Sequence, residues 1–305
     1  GGSDFLPSYC IGVSFYPSDG TNIEDLLTKA EFALANAKRE GDNEIGFFKK
    51  RSQQEALKII ELKSKLADAF KNKEFVLFYQ PYYDVRSGKI AGAESLIRWI
   101  HNGEVIPPGD FIETLENSNL IYDVEEYLIN EAVRTISQCK RKVPISINIS
   151  AKSFKRDYLI TVISQALKDF SVEGRYLTVE IVERVFLESK SYTKNIMDQL
   201  RAMNVRIAVD DFGTGYSSLT YIRELPIDIL KIDISFIRGM MKDKKDLSLV
   251  RLIINVAKEF GFKTVAEGVE TNEQFELLKS LGCDYVQGFL FSRPLEKEKF
   301  LFLLD

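Results

Sequence analysis

The chain has 305 residues, 45% of them hydrophobic and 28% charged with both signs interspersed, and its formal net charge is −4. That composition supplies a full apolar core. It argues against a disordered chain and against a basic clamp on a DNA or RNA polymer, while leaving room for a small phosphate ligand held by metals. A single histidine, His101, and three isolated cysteines, Cys10, Cys139 and Cys283, argue against histidine triads, Cys/His zinc sites and a disulfide framework. Unpaired thiols fit a reducing compartment, and a cytoplasmic location is the expectation.

In chain order, Ile11 to Tyr16 reads as a strand. Thr21 followed by Glu24 makes a capping box for a helix with Leu26, Leu27, Ala30, Ala33, Leu34 and Ala37 on one face; Gly41 ends it, and Glu44 to Phe48 is a second short strand. One helix and two strands bury little alone, so residues 1 to 49 are either the remnant of a larger domain or lean on a neighbour. From about Arg51 to Lys71, the positions Ile59, Leu62, Leu66, Ala69 and Phe70 mark a long connecting helix. Beyond it strands and helices alternate. The strand candidates are Phe75 to Gln80, Ile90 to Ile97, Pro144 to Ser150, Tyr176 to Ile181, Val205 to Asp210, Ile227 to Ile232, Phe262 to Ala266 and Tyr285 to Gly288.

Eight strands mostly separated by helices match a closed barrel better than an open sheet. The link Tyr83 to Lys89 is too short for a crossover helix, so the first two strands should be antiparallel neighbours. The expected fold is a modified TIM (β/α)8 barrel with an antiparallel first strand, plus a small N-terminal α/β fragment. Asp110 with Glu113, and Thr271 with Gln274, read as capping boxes of two barrel helices. Leu247 to Ala257, broken by Arg251 and Asn255, is too short for a bilayer and reads as a buried helix, so no membrane contact by this fragment is expected. The Gly1-Gly2-Ser3 start reads as an internal cut or an appended sequence, which leaves any tethering to regions N-terminal of it.

Most candidate barrel strands carry a polar residue where a core strand should stay apolar: Glu94, Asn148, Glu180, the pair Asp210 and Asp211, Lys231 and Glu267. Taken singly, each is best read as a solvated rim residue. Together, five carboxylates and one amide from five strands, all near the C-terminal ends, fit a site at the usual active face of a barrel, where burial demands cations. The oxygen-rich set suits Mg²⁺ or Mn²⁺. Two such ions about 3.5 to 4 Å apart would clamp a phosphodiester and lower the pKa of a water between them. Asp210, in the middle of the set, is the natural bridging ligand, and Lys231 would carry positive charge towards the water and the phosphoryl oxygens. The stretch Asp211-Phe212-Gly213-Thr214-Gly215-Tyr216-Ser217-Ser218 has the composition of an ordinary βα turn. Its paired aspartates favour a loop that orders around a metal or phosphate.

Residues 70 to 305 resemble a complete EAL domain, the phosphodiesterase of bacterial cyclic di-GMP signalling. The signature reads Glu94-Ser95-Leu96 within Ala93 to Trp99, with serine for the middle alanine. Further matching blocks are Tyr79-Gln80-Pro81, Asn148-Ile149-Ser150, Glu180-Ile181-Val182-Glu183, Asp210 to Leu219, Leu230-Lys231-Ile232-Asp233, Ala266 to Thr271 and Gln287-Gly288-Phe289. The resemblance implies two metals per active site, the first held by Glu94, Asn148, Glu180 and Asp210, the second by Asp210, Asp211 and, directly or through water, Glu267. It implies that Lys231 contacts the nucleophilic water, that Gln80, Arg98 and Gln287 hold the nucleotide, and that Glu183 anchors the loop after Asp211. Val182 departs from the family's usual threonine. The activity implied is hydrolysis of cyclic di-GMP to 5'-pGpG by a homodimer.

Residues 1 to 49 resemble the last part of a GGDEF domain, through Cys10 to Ser14, Asp25 to Leu27, Ala30, Ala33, Leu34, Ala37, Lys38 and Gly41-Asp42-Asn43, with Gly1 to Phe5 echoing an altered signature. The family's first strand, metal-binding aspartate and phosphate loop are absent, so this piece is expected to synthesise nothing. Two rival readings of the carboxylates are a receptor that binds the dinucleotide without cleaving it, and another metal-dependent barrel enzyme acting on small phosphates or enolates.

Overall fold

The computed structural model describes residues 9–41, 43–48, 50–183, 185, 190–214 and 223–305. The signature echo at Gly1 to Phe5, Asp42, and the part of the glycine-containing loop from Gly215 to Leu219 lie outside the described residues. The chain divides into two compact units, Gly1–Leu66 and Ala67–Asp305.

In the first unit, β1 (Ile11–Val13) and β2 (Ile45–Phe47) pair in parallel, joined through α1 (Ile23–Glu40). The cap of α1 sits one residue later than Thr21: Asn22 accepts the Asp25 N–H at 2.8 Å, because its short amide reaches the third N–H of the helix without an extra residue. Ala33 and Ala37 are fully buried, whereas Leu27 falls off that face and is exposed, since adjacent helix positions point about 100° apart. A long helix, α2 (Lys50–Lys71), runs from the first unit into the second.

The second unit is a closed eight-stranded barrel. Its strands are β3 (Phe75–Asp84), β4 (Ile90–His101), β6 (Ile145–Asn148), β7 (Leu177–Val182), β8 (Arg206–Phe212), β9 (Ile229–Ile232), β10 (Lys263–Ala266) and β11 (Tyr285–Val286). β3 runs antiparallel to both its neighbours, β4 and β11, and closes the ring; the other barrel pairs are parallel. The expected antiparallel first strand is therefore present. It continues through Tyr83 and Asp84, which shortens the connecting turn. An additional strand, β5 (Glu104–Ile106), folds back on β4 through the two-residue turn Asn102-Gly103, both with positive φ (52° and 81°).

Helices α3 (Ile112–Glu116), α4 (Leu120–Gln138), α5 (Tyr158–Asp169), α6 (Lys190–Ala202), α7 (Ile234–Gly239), α8 (Lys244–Phe260), α9 (Asn272–Leu281) and α10 (Lys297–Leu303) accompany the strands. The Thr271–Gln274 capping box forms in both halves. The Asp110 cap does not. Pro108–Asp110 forms a 3-10 turn closed by Phe111 N–H on Pro108 O at 3.0 Å, and the buried Phe111 ring against Phe75 and Trp99 pins that turn, so α3 starts at Ile112 without a side-chain cap. α8 buries only one face, through Val250, Ile253, Ile254 and Ala257. Among the described residues no helix is long and apolar enough to cross a membrane.

Candidate active site

Strand alternation builds the site in layers, because residues two apart face the same side. The barrel interior is plugged by Tyr82, Ala208, Ile229 and Val265, buried and packed together. Two residues further along their strands stand Asp210, Lys231 and Glu267. Glu94 stands two past Gly92, Asn148 two past Ser146, Glu180 two past Thr178 and Gln287 two past Tyr285. Since β3 runs the other way, Gln80, two residues before Tyr82, reaches the same layer, directly opposite Glu94 in register. The plug closes this layer from below, so its polar groups must satisfy one another or a ligand. Gly92 belongs to the plug: a Cβ there would lie 2.1 Å from the Tyr82 hydroxyl, so only glycine admits that ring.

Lys231 occupies the centre, 2% exposed. Its Nζ donates to Glu180 Oε2 at 2.6 Å and lies 2.6 Å from Glu267 Oε1, 3.1 Å from Asp210 Oδ1 and 3.3 Å from Glu94 Oε2. The Glu267 contact is an ion pair without hydrogen-bond geometry, which leaves that oxygen without a donor. Burial alone would lower the lysine; Asp210, Glu180, Glu267 and Glu94 overturn this and hold the ammonium well above its ordinary range. The carboxyl groups divide. Burial, with repulsion from Glu94 and Asp210, pushes Glu180 up to about 8 despite Lys231, and burial with Asp210 and Glu94 pushes Glu267 well above the carboxylate range. Glu94 goes the other way: burial opposes its charge, but Lys231 and hydrogen bonds from Gln287 and Asn148 hold it below its ordinary value.

Four carboxylates thus face one ammonium. Three of them, Glu94, Glu180 and Asp210, each bring an oxygen within 4.8 Å of the others, a group able to hold a metal ion. An all-oxygen donor set fits a hard divalent cation, and such a charge would lower the raised carboxyl groups. Asn148 joins through Nδ2, which donates to Glu94 Oε1 at 2.9 Å. Asp211 stands outside ion-pair reach of Lys231; its carboxyl is pushed up to about 6 by loss of water, then by Asp210 and Asp233. Its backbone is left-handed (φ 53°), a conformation that aspartate tolerates, and its N–H donates to Asp210 Oδ1 at 3.0 Å. Gly213 N–H donates to the buried Glu183 Oε2 at 3.1 Å, tying the turn after Asp211 to the end of β7.

Beside the carboxylates lies a cleft of about 310 Å³ whose walls include Gln80, Arg98 and Gln287. Gln287 Nε2 donates to Glu94 Oε2 at 2.8 Å and to Gln80 Oε1 at 3.2 Å, while its own Oε1 is buried without a donor. Arg98 is half-buried with its guanidinium 5.7 Å from the Phe78 ring. The cleft also holds Arg238 and Glu270, an ion pair at 3.1 Å to which sequence reasoning assigned no role. The available signal was Glu270, three residues past Glu267 in one βα loop; Arg238 becomes visible only once α7 is known to start at the barrel mouth. Ser95 points away from the metal group and donates to Ser146 O at 2.7 Å, locking β4 to β6. A more apolar cavity of about 240 Å³ behind Asn148 and Glu180 is lined in part by Val182 and by Glu125, whose carboxyl is pushed up to about 7, chiefly by burial.

The family model described as EAL domain matches residues 63–294. Signaling protein YkoW of Bacillus subtilis (strain 168) is 36% identical over 300 residues, covering 97% of this chain and 37% of its own length. The bifunctional diguanylate cyclase/cyclic di-GMP phosphodiesterase MucR of Pseudomonas aeruginosa is 36% identical over 299 residues, 96% of this chain and 44% of its own length. The chain thus spans about two fifths of the length of these curated relatives. Among solved structures, the PaMucR phosphodiesterase in c-di-GMP complex superposes with a TM-score of 0.76 at 37% identity, covering 79% of this chain and 99% of that one. The EAL enzyme Bd1971 in its cAMP and cyclic-di-GMP bound form gives 0.81 at 30% identity, covering 94% and 77%.

Proposed function

The chain belongs to the EAL domain family, and from that premise we propose that it is a cyclic di-GMP phosphodiesterase that opens the ring to linear 5'-pGpG with two divalent cations, Mg²⁺ or Mn²⁺. The observation that carries this reading is the buried meeting of Glu94, Glu180, Asp210 and Glu267 around Lys231, beside an amide- and arginine-lined cleft. Glu94, Asn148, Glu180 and Asp210 would hold the first cation, and Asp210, Asp211 and Glu267 the second. When bound, the cations supply Lewis-acid charge to the phosphodiester and make a water acidic enough to attack at neutral pH. Lys231, kept charged by its four carboxylates, sets positive charge beside the phosphoryl oxygens as negative charge develops there, and orients the attacking water. The water oxygen forms a bond to phosphorus, the bond from phosphorus to the 3' oxygen breaks, and a proton ends on the departing 3' hydroxyl. Gln80, Gln287 and Arg98 hold the dinucleotide; the unpaired Gln287 Oε1 is an acceptor for an N–H or O–H of the ligand. Glu183 keeps Asp211 in place through Gly213 N–H.

Residues 72–305 form the phosphodiesterase domain in this reading, 50–71 a connecting helix, and 1–49 the end of a degenerate GGDEF domain without synthase activity. An alignment to MucR that includes 96% of the chain supports the last assignment. The unit works in bacterial second-messenger signalling as a cytoplasmic homodimer; its three free cysteines suit a reducing compartment. Incubation with cyclic di-GMP and Mg²⁺ or Mn²⁺, with chromatography for pGpG, tests the activity, and binding measured in Ca²⁺ separates a receptor from an enzyme. Asp210→Asn is expected to abolish hydrolysis with an unchanged circular-dichroism spectrum. Retained turnover would remove Asp210 as the shared ligand.

A further inference from the structure

We propose that the N-terminal end of the barrel, opposite the active face, carries an anion site for a phosphate-bearing small molecule. A hollow of about 470 Å³ opens there, walled by residues at which β8, β9, β10 and β11 begin, a size within the roughly 300–1,000 Å³ of small-molecule sites. Arg201 in the last turn of α6, Arg206 at the start of β8 and Arg223 ahead of β9 line it together, with Lys263 and Tyr285 beside them. Among the described residues no carboxylate pairs with any of the three arginines. Of the acidic groups at this end, Asp228 stands in the wall itself with Oδ2 accepting Ile207 N–H at 2.8 Å, one carboxylate against three guanidinium groups, and Asp284 accepts Lys263 Nζ at 2.7 Å and Thr264 N–H at 3.1 Å.

Three guanidinium groups around one hollow repel one another, and their free N–H forks match the oxygens of a phosphate. Arg206 is the costly member, half-buried and unpaired, its charge felt by the Tyr82 and Tyr285 hydroxyls in the barrel floor. A phosphate relieves this repulsion, and the half-buried rings of Phe260 and Tyr285 offer a flat group a face to rest on. The site stands apart from the phosphodiesterase reading and survives its failure.

Isothermal titration of the intact chain at low salt, with GMP, inorganic phosphate and guanosine as probes, tests it. Saturable binding of GMP and phosphate but not guanosine is expected, weakened by about tenfold or more in the double variant Arg201→Ala/Arg223→Ala and unchanged in Asp210→Asn. Tighter binding of GMP than of phosphate identifies a nucleotide as the ligand, and equal binding identifies phosphate alone; both support the site. Both arginines are exposed, so the double variant should melt at the parent temperature, and that melt is its folding control. No saturation up to about 10 mM probe, binding lost in Asp210→Asn but kept in the double variant, or binding of polyglutamate in place of phosphate would overturn the proposal.

Discussion

Replacing Lys231 by methionine keeps the length of the side chain and removes the ammonium that touches four carboxylates at 2.6, 2.6, 3.1 and 3.3 Å. Removing one partner of a buried ion pair costs about 3–5 kcal/mol, because the other charge stays behind unpaired. Here the groups left behind are four carboxyls, exposed to 8% or less at Glu94 and Glu180 and under 20% at Asp210 and Glu267, so this range is a lower guide for the cation-free protein. For a barrel of this size each kcal/mol moves the melting temperature by about 2–4 °C, so a fall of about 6–20 °C is expected in EDTA. Divalent cations place positive charge among the same oxygens, so Mn²⁺ should return most of that loss. It should not return catalysis, since the charge beside the phosphoryl oxygens is gone; a fall of about a hundredfold or more in turnover is expected. Scanning calorimetry in EDTA and in Mn²⁺, with pGpG formation on the same samples, reads both effects. An unchanged melting temperature in EDTA, or a loss that Mn²⁺ leaves intact, would refute the idea that ammonium and cation answer the same buried charge.

Two other perturbations test features away from that centre. Glu183→Ala removes the acceptor of Gly213 N–H, and an outer partner of this kind typically costs about 10–100-fold in metal affinity or activity; the Mg²⁺ concentration for half-maximal turnover should rise accordingly, and an unmoved midpoint would show that the turn after Asp211 holds itself. Glu125 is raised from 4.5 to about 7, so the folded protein keeps a proton that the unfolded chain releases; the stability it contributes is complete below pH 4.5 and is lost as pH climbs through about 7. Glu125→Gln retains an acceptor for Ser150 N–H but cannot ionise, and should gain up to about 3 kcal/mol on the parent between pH 4.5 and pH 8. Equal offsets in melting temperature at the two pH values would count against a buried charge at this position.

Much of the architecture is written in short-range pattern. The alternation of strands and helices, the short link after β3 that forces an antiparallel first strand, and the Thr271–Gln274 cap each depend on residues a few positions apart, and each reappears in three dimensions. Candidate ligands were legible for the same reason: a carboxylate or lysine two residues beyond an apolar plug residue breaks the apolar pattern of a core strand. Where the deciding contact is distant, local reading slipped. The Asp110 cap gave way to a turn pinned by Phe111 packing on Phe75 and Trp99, and Arg238 and Glu270 meet only across 32 positions of chain.

The chemistry of the site belongs to this second class. Glu94 and Glu180 are the same residue type at equivalent strand positions, yet one is held below its ordinary pKa and the other is raised to about 8. Composition cannot separate them, because the difference lies in the repulsion of Glu180 by Glu94 and Asp210 and in hydrogen bonds to Glu94 from Gln287, 193 positions away, and Asn148, 54 positions away. Sequence by itself determined which groups stand at the barrel mouth; tertiary structure decided which charges they keep, since Coulomb and desolvation energies depend on distances and burial that exist only once the ring has closed.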